Sequence, residues 1–428
     1  MNEFLQIIKG FAESQGDKIC FCVDDKSYTY RDFWEEILAA SSRFTKGETI
    51  LIEEKEEGIQ LFSWLGAILV GAVPLLAHPD MPAERVERLI AKAGLNGIRE
   101  EAQVPEKADF GVLTSGSTGL PKVWWRAFPS WMNFFPAQNE VFHVSKESVL
   151  FLHGSFSFTG NLNAALATLY EGGTVVLSAS LKATRWIRTM EMYGATHIYL
   201  LPTKVRMLLQ KVSRPLEEIE LIFMGSQSLD RHLLASLTEH IPRAEVMFYY
   251  GASELNYITY CTLQEWEAHP GTVGKPFSGV SVTVNEEGEI VVDTPYSVEA
   301  VPRPFVIGDK GKWTEDGYLL FLGRTDGMIN SSGYKIAMQG LEDTIRSCEG
   351  VQDVVVLSVA DSLRGEVPVA FVVPCEKHEC DTLFVSTLHR CLAKRLPAIE
   401  VPRVIRVIEE LPLSATSKVD KEKLRKLL

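Results

Sequence analysis

An excess of positive charge is missing from this chain: 43 Lys and Arg stand against 56 Asp and Glu, a formal net charge of −13. Without a basic field, a general binder of nucleic acid or of an anionic membrane surface is disfavoured, although a short basic stretch runs from Lys418 to Lys426. Cysteine is scarce and odd in number, seven with no framework spacing, which suits a reducing cytosol better than a disulfide scaffold. The tightest group, Cys375, His378 and Cys380, has no second ligand pair at finger-like spacing, so zinc is not expected. Long apolar runs are absent too. Leu61 to Ala77 is broken by Ser63, Gly66, Gly71 and Pro74 and reads as a buried helix turning at Gly71 into a strand, not as a transmembrane segment. The opening MNEFLQIIKGFAESQGDK carries acids and no continuous apolar core, so no leader is expected and the reading is cytoplasmic.

At 428 residues the chain exceeds what one core organises, and two unequal domains are expected. Strand and helix patterns alternate. Ile19 to Val23 reads as a strand; a helix begins at Thr29 or Tyr30 with Phe33, Ile37, Leu38 and Ser41 on one face; another carries Val86, Leu89 and Ile90. Alternation of this kind predicts an α/β fold with largely parallel strands.

The most informative stretch is Leu113 to Lys122, LTSGSTGLPK. Glycines free its backbone N–H groups, Thr114, Ser115, Ser117 and Thr118 supply small hydroxyls, and Lys122 supplies a trailing cation: together, a cradle for polyphosphate. It is not the common P-loop, because Pro121 precedes the lysine and Val123 follows it. A solvated Ser/Gly linker is the alternative; the apolar strand pattern Phe110 to Leu113 feeding the loop argues against it. Further on, a strand from Val149 to Leu152 ends near His153 and a helix starts near Gly160, so His153, Phe156 and Phe158 fall beyond the carboxyl end of a strand, where open α/β sheets hold ligands. The cluster of tryptophans and phenylalanines between Lys122 and Phe142 suits a core.

TSGSTGLPK resembles the phosphate loop of the adenylate-forming superfamily, which includes acyl-CoA and aryl-CoA synthetases, luciferases and peptide-synthetase adenylation domains. Later motifs follow in the family's order: LIFMGSQSLD, VMFYYGASE, the Gly-Asp pair before GKW, GRTDG, GYK and the closing PLSATSKVDK. The resemblance covers Ile19 to Leu428. It implies an α/β fold whose large N-terminal domain, residues 1–325, combines parallel-rich α/β subdomains with a small β-subdomain around a hairpin at Glu287 and Gly288. A small α/β C-terminal domain, 326–428, is hinged to it.

The family's site maps residue by residue. Thr114, Ser115, Gly116, Ser117, Thr118, Gly119 and Lys122 match the phosphate loop, with Thr118 also catalytic. Gly225, Ser226 and Gln227 match the turn packed against adenine. In the next motif Tyr250 can stack on the purine, Gly251 and Ala252 let backbone approach, Ser253 can reach the α-phosphate, and Glu254 can hold Mg2+ between phosphates. Asp309 and Arg324 match the ribose contacts, Ile307 standing where threonine is usual. Asp326 matches the hinge; Gly333, Tyr334 and Lys335 match the loop used in the thiol step. Lys418 matches the lysine that approaches the reacting carboxylate, Ser417 replacing the usual glycine.

Amino-acid-activating relatives carry an aspartate in the acyl-pocket loop. Here Phe156, Ser157, Phe158 and Thr159 stand instead, which favours an apolar or aromatic acid. The expectation is ATP-dependent activation of a fatty or aryl carboxylic acid through an acyl-adenylate, with ATP and Mg2+, followed by thioester formation with CoA. Transfer to the phosphopantetheine thiol of an acyl or aryl carrier protein, and a non-catalytic nucleotide-binding protein of this fold, remain as alternatives. A monomer or a homodimer is expected.

Overall fold

The computed structural model describes residues 2–81, 83–98, 104–114, 122–225, 231–324, 327–331, 334–361, 365–375, 381–396, 398–414 and 419–428. Strands β1 (Ile19–Val23), β2 (Lys26–Thr29), β3 (Glu48–Ile52), β4 (Val73–Leu76) and β5 (Gly97–Ile98) come first, then the antiparallel hairpin β6 (Phe110–Thr114) and β7 (Lys122–Arg126). The run β8 (Val149–His153), β9 (Thr174–Ser178), β10 (His197–Tyr199), β11 (Leu221–Gly225) and β12 (Glu245–Ala252) alternates with helices and pairs in parallel. Antiparallel strands follow: β13 (Asn256–Thr262), β14 (Thr272–Pro276), β15 (Ser281–Val284), β16 (Glu289–Asp293), β17 (Phe305–Trp313) and β18 (Leu319–Arg324). Last come β19 (Met328–Ser331), β20 (Tyr334–Ala337), β21 (Val351–Asp361), β22 (Gly365–Pro374) and β23 (Val404–Val407).

One thirteen-stranded sheet runs β15-β16-β17-β18-β14-β13-β12-β11-β10-β8-β9-β1-β2, and β19 to β23 form a separate five-stranded sheet. The chain is therefore mixed α/β, with a large N-terminal sheet-rich part and a smaller C-terminal one. The antiparallel strands expected as a small β-subdomain continue the main sheet through the β12–β13 hairpin.

Local chemistry sets the elements. The helix Tyr30–Ser41 starts at a reciprocal capping box, Asp32 N–H to Thr29 Oγ1 at 3.2 Å and Thr29 N–H to Asp32 Oδ2 at 3.0 Å, an arrangement contributing about 1 kcal/mol. Its buried stripe is Tyr30, Phe33, Ile37 and Ala40; Leu38, expected on that face, is 46% exposed because one residue past Ile37 turns about 100° away. The helix Glu57–Val70 ends at Gly71 with φ +84°, a left-handed C-cap that releases the chain into β4.

Strand alternation divides the core. Leu150 and Leu152 of β8 face one hydrophobic cluster with Phe21, Phe62 and Leu166, while Phe151 between them faces another built on Trp186, Val205 and Leu208. Both faces of the sheet are covered, as parallel strands require.

Candidate active site

The hairpin β6–β7 flanks the segment expected to cradle phosphate. Thr114 pairs directly with Lys122, so both ends of the intervening residues are held in register, and Phe110 anchors the hairpin against Trp64 (5.0 Å between ring centroids) and Trp131 (4.8 Å). Lys122 Nζ lies 3.6 Å from the Trp124 ring centroid, a cation–π contact at the hairpin mouth. Ser115, Gly116, Ser117, Thr118 and Gly119 lie outside the described residues, as do Ser226, Gln227, Asp326, Gly333 and Lys418. Thr114, Arg324, Tyr334 and Lys335 are placed by their backbones, in β6, β18 and β20.

Across from the hairpin, β12 and β13 meet in a tight turn that carries Ser253 and Glu254. The register shifts between Tyr250 and Gly251, and Leu255 N–H closes the turn on Ala252 O at 3.0 Å. Gly251 is required there: a Cβ would stand 2.5 Å from Asn256 O. Val298 N–H donates to Glu254 O at 2.8 Å, so the half-buried Glu254 is carried on pinned backbone. Tyr250 and Asp309, 6% and 5% exposed, come from different parts of the sheet, and the Tyr250 hydroxyl donates to Asp309 Oδ2. Asp309 pairs in register with Arg324 on β18, and Tyr250 lies 5.8 Å from Phe321 on the same strand. Gly225 ends β11 beside Tyr249, whose hydroxyl would be 3.0 Å from a Cβ there.

One central residue escaped the sequence reading. Arg126, the last residue of β7, is fully buried among aromatic residues, its guanidinium 5.5 Å from the Trp131 ring. It donates to Ser253 O at 2.7 Å, Tyr296 O at 2.9 Å and Ser130 Oγ at 3.0 Å. Burial lowers its pKa while the nearby Glu254 carboxylate raises it, and a guanidinium holds its charge under such conditions. Arg126 thus ties the β6–β7 hairpin to the Glu254 turn. An arginine inside the aromatic run WWRAF was the available signal.

The three residues expected in an acyl pocket are not brought together. Phe156 is 1% exposed and packs into the core with Phe21, 6.1 Å away. His153 points to the opposite face, its ring 4.4 Å from that of Trp186. Burial, and then the Lys204 ammonium, push the His153 imidazole down to about 3, so it stays neutral. Phe158 is half-buried at the start of the helix Thr159–Tyr170. Below that start, a Cβ on Gly160 would stand 2.0 Å from the Tyr199 hydroxyl, which itself meets the Tyr249 hydroxyl at 2.7 Å. A small pocket of about 10 Å³ beside this loop, room for about one water, is lined by Leu76, Leu113, Phe156, Ser157, Thr159 and Leu162, among others.

Comparison with known proteins adds a second line of observation. The family model for AMP-binding enzymes matches residues 96–296, and that for the AMP-binding enzyme C-terminal domain matches 340–418. An uncharacterized acyl–CoA ligase of Bacillus subtilis is 24% identical over 97% of this chain and 96% of its own. A D-alanine–D-alanyl carrier protein ligase of Bacillus licheniformis is 25% identical over 99% of both. Among solved structures, o-succinylbenzoate CoA synthetase from Bacillus subtilis, in complex with its acyl-adenylate intermediate, superposes with a TM-score of 0.85 at 18% identity, covering 98% of this chain and 97% of that one. Among the described residues, no helix is long and apolar enough to cross a membrane.

Proposed function

The chain belongs to the AMP-binding enzyme family of adenylate-forming acid–thiol ligases, and from that premise we propose that it activates a non-amino-acid carboxylic acid as its acyl-adenylate and passes the acyl group to the thiol of CoA. A carboxylate is a poor electrophile because oxide would have to leave; joining it to AMP supplies a better leaving group, with pyrophosphate released from ATP. Catalysis of such a step is mainly positioning and charge neutralisation.

The observation that carries this reading is the Tyr250–Asp309 hydrogen bond beside the Arg126-held Glu254 turn. An aromatic ring for the base and a carboxylate for two ribose hydroxyls stand next to a carboxylate suited to a phosphate-bound cation. Glu254 fits magnesium on its chemistry, since that ion commonly takes one or two protein carboxylates and completes its shell with phosphate oxygens and water; when bound it would neutralise phosphate charge. In this reading Thr114 to Lys122 hold the β- and γ-phosphates, Arg324 joins Asp309 at the ribose, and Lys418 neutralises charge between carboxylate and α-phosphate. The two domains divide at residues 325 and 326, so that rotation about Asp326 exchanges Lys418 for the Gly333–Lys335 loop between half-reactions. A cytoplasmic location accompanies this proposal.

A second acceptor is kept alongside CoA. The likeness to a carrier protein ligase favours testing a phosphopantetheine thiol on a carrier protein as well. The deciding assay is carboxylate-dependent ATP/pyrophosphate exchange over fatty, aryl and amino acids, with the Lys418→Ala protein beside the wild type. Exchange with one acid class, lost in the variant, is the expected result; ATP binding without exchange for any acid would overturn the proposal in favour of a nucleotide-binding protein.

A further inference from the structure

The parallel part of the main sheet reverses between β8 and β10: from β8 the chain steps outward to β9 on one side, then returns to β10 on the other. In open α/β sheets the crevice beyond the carboxyl ends at such a reversal takes ligands, because the two departing connections leave in opposite directions. Here it is bordered by Gly154 to Phe158 after β8 and by Leu200 to Lys204 after β10. Lys204 bridges the two. From the first turn of the helix Pro202–Leu209 its Nζ donates to His153 O at 3.0 Å. Gly154, with φ +105°, makes room for it: a Cβ there would lie 2.9 Å from Nζ.

Among the described residues that ammonium has no acid to pair with. Its hydrogen-bond partner is the His153 carbonyl, and its charge helps hold the imidazoles of His78 and His153 below their ordinary range. Burial accordingly draws Lys204 down to about 8. Taking a cation largely out of water without a counter-ion is unfavourable, so an anion arriving in the crevice gains an interaction that the empty protein does not satisfy. The same loop, Gly154 to Thr159, offers no carboxylate that could hold a substrate amine.

We propose that Lys204 forms an anion subsite of the acid-binding pocket, and that the acid activated here carries a second anionic group, in the simplest case a second carboxylate. The inference rests on the adenylation reading and narrows its substrate class: one carboxylate is activated while the other meets Lys204. An amino acid would bring an ammonium toward that lysine and be rejected.

The test is exchange kinetics on length-matched pairs, butanoate with succinate, heptanoate with pimelate and 3-methylbenzoate with isophthalate, in wild type, Lys204→Met and Lys204→Arg. Wild type is expected to favour the dicarboxylate of its best pair by about tenfold or more in kcat/KM, the scale of one charge-assisted hydrogen bond. Lys204→Met, which keeps the apolar stem, erases that ratio through KM, and Lys204→Arg restores part of it. A wild-type preference for monocarboxylates, or an equal loss on both members of every pair in Lys204→Met, overturns the subsite and leaves adenylation standing. If no acid supports exchange, calorimetric titration of the same acids decides: dicarboxylate binding lost in Lys204→Met retains the subsite without adenylation, and no dicarboxylate binding overturns both.

Discussion

The proposed nucleotide side and the proposed acid side of this site are built in opposite ways. On the nucleotide side, polar groups from β7, β12, β17 and the segments that follow β12 and β16 hold one another: Arg126 grips the Ser253 and Tyr296 carbonyls, and Tyr250 grips Asp309. On the acid side the groups are set by packing. His153 is pressed neutral against Trp186, Phe156 is sunk in the core, and Lys204, among the described residues, bonds to the His153 carbonyl and to no acid. A hydrogen-bonded network fixes one geometry for a ligand that does not vary, whereas packing allows the pocket shape to change through single side chains.

The largest effect that would sharpen this contrast is at Lys418. Lys418→Ala should cut adenylation by about 10²–10³, the typical loss of one preorganised charge donor, with ATP binding and the denaturation midpoint retained. An unchanged exchange rate would remove the lysine from the mechanism. Next comes Arg126→Met, expected to slow exchange by about 10² although Arg126 is walled off from solvent, because the Glu254 turn loses its anchor and small displacements of a catalytic group are costly. Stability should fall as well, by about 1–3 kcal/mol for carbonyls left buried without donors. Arg126→Lys should not rescue either property, since one ammonium cannot reproduce the fork that reaches Ser253, Ser130 and Tyr296. Full exchange activity in either variant would show that the turn holds itself. Smaller again is Tyr250→Phe: the ring for stacking stays, the donor to Asp309 goes, and KM for ATP should rise by about tenfold. Tyr199→Phe, which breaks the Tyr199–Tyr249 contact on the acid side, is the control. An equal rise in KM for ATP there would collapse the distinction between the two sides.

The same contrast explains what the sequence disclosed. The phosphate and ribose recognition proposed here depends on local residue types, so TSGSTGLPK, YGASE and the Gly-Asp pair stand out as strings, and the α/β architecture follows from strand and helix periods that the structure retains. The parts that stayed hidden depend on residues distant in the chain. Arg126 meets Ser253 and Tyr296 across more than a hundred positions, and no local pattern announces such a partner. His153 and Phe156 are close in sequence, yet the two-residue period of β8 and the turn after it send them to opposite faces of the sheet. Lys204 reads as an ordinary helix lysine until the strand order shows that its helix begins at the reversal of the sheet.

The smallest effect concerns pH and belongs to the acid side alone. His153 is held at about 3 in the folded protein, first by burial and then by Lys204; in the unfolded chain it titrates near the ordinary 6.5. Between those values the unfolded state binds a proton that the folded state refuses, so this residue's contribution to stability is lost as the pH falls from about 6.5 toward 3. The slope approaches about 1.4 kcal/mol per pH unit, or roughly 2 kcal/mol by pH 5. Replacing His153 by Phe keeps an aromatic ring against Trp186 and removes the titration. Denaturant unfolding at pH 7 and pH 5 should therefore show the wild type losing about 2 kcal/mol more than His153→Phe, carboxylate protonation being common to both proteins and cancelling in the difference. Identical losses would mean that the imidazole takes up its proton without leaving the Trp186 face, and that the acid side is more open to water than its packing indicates.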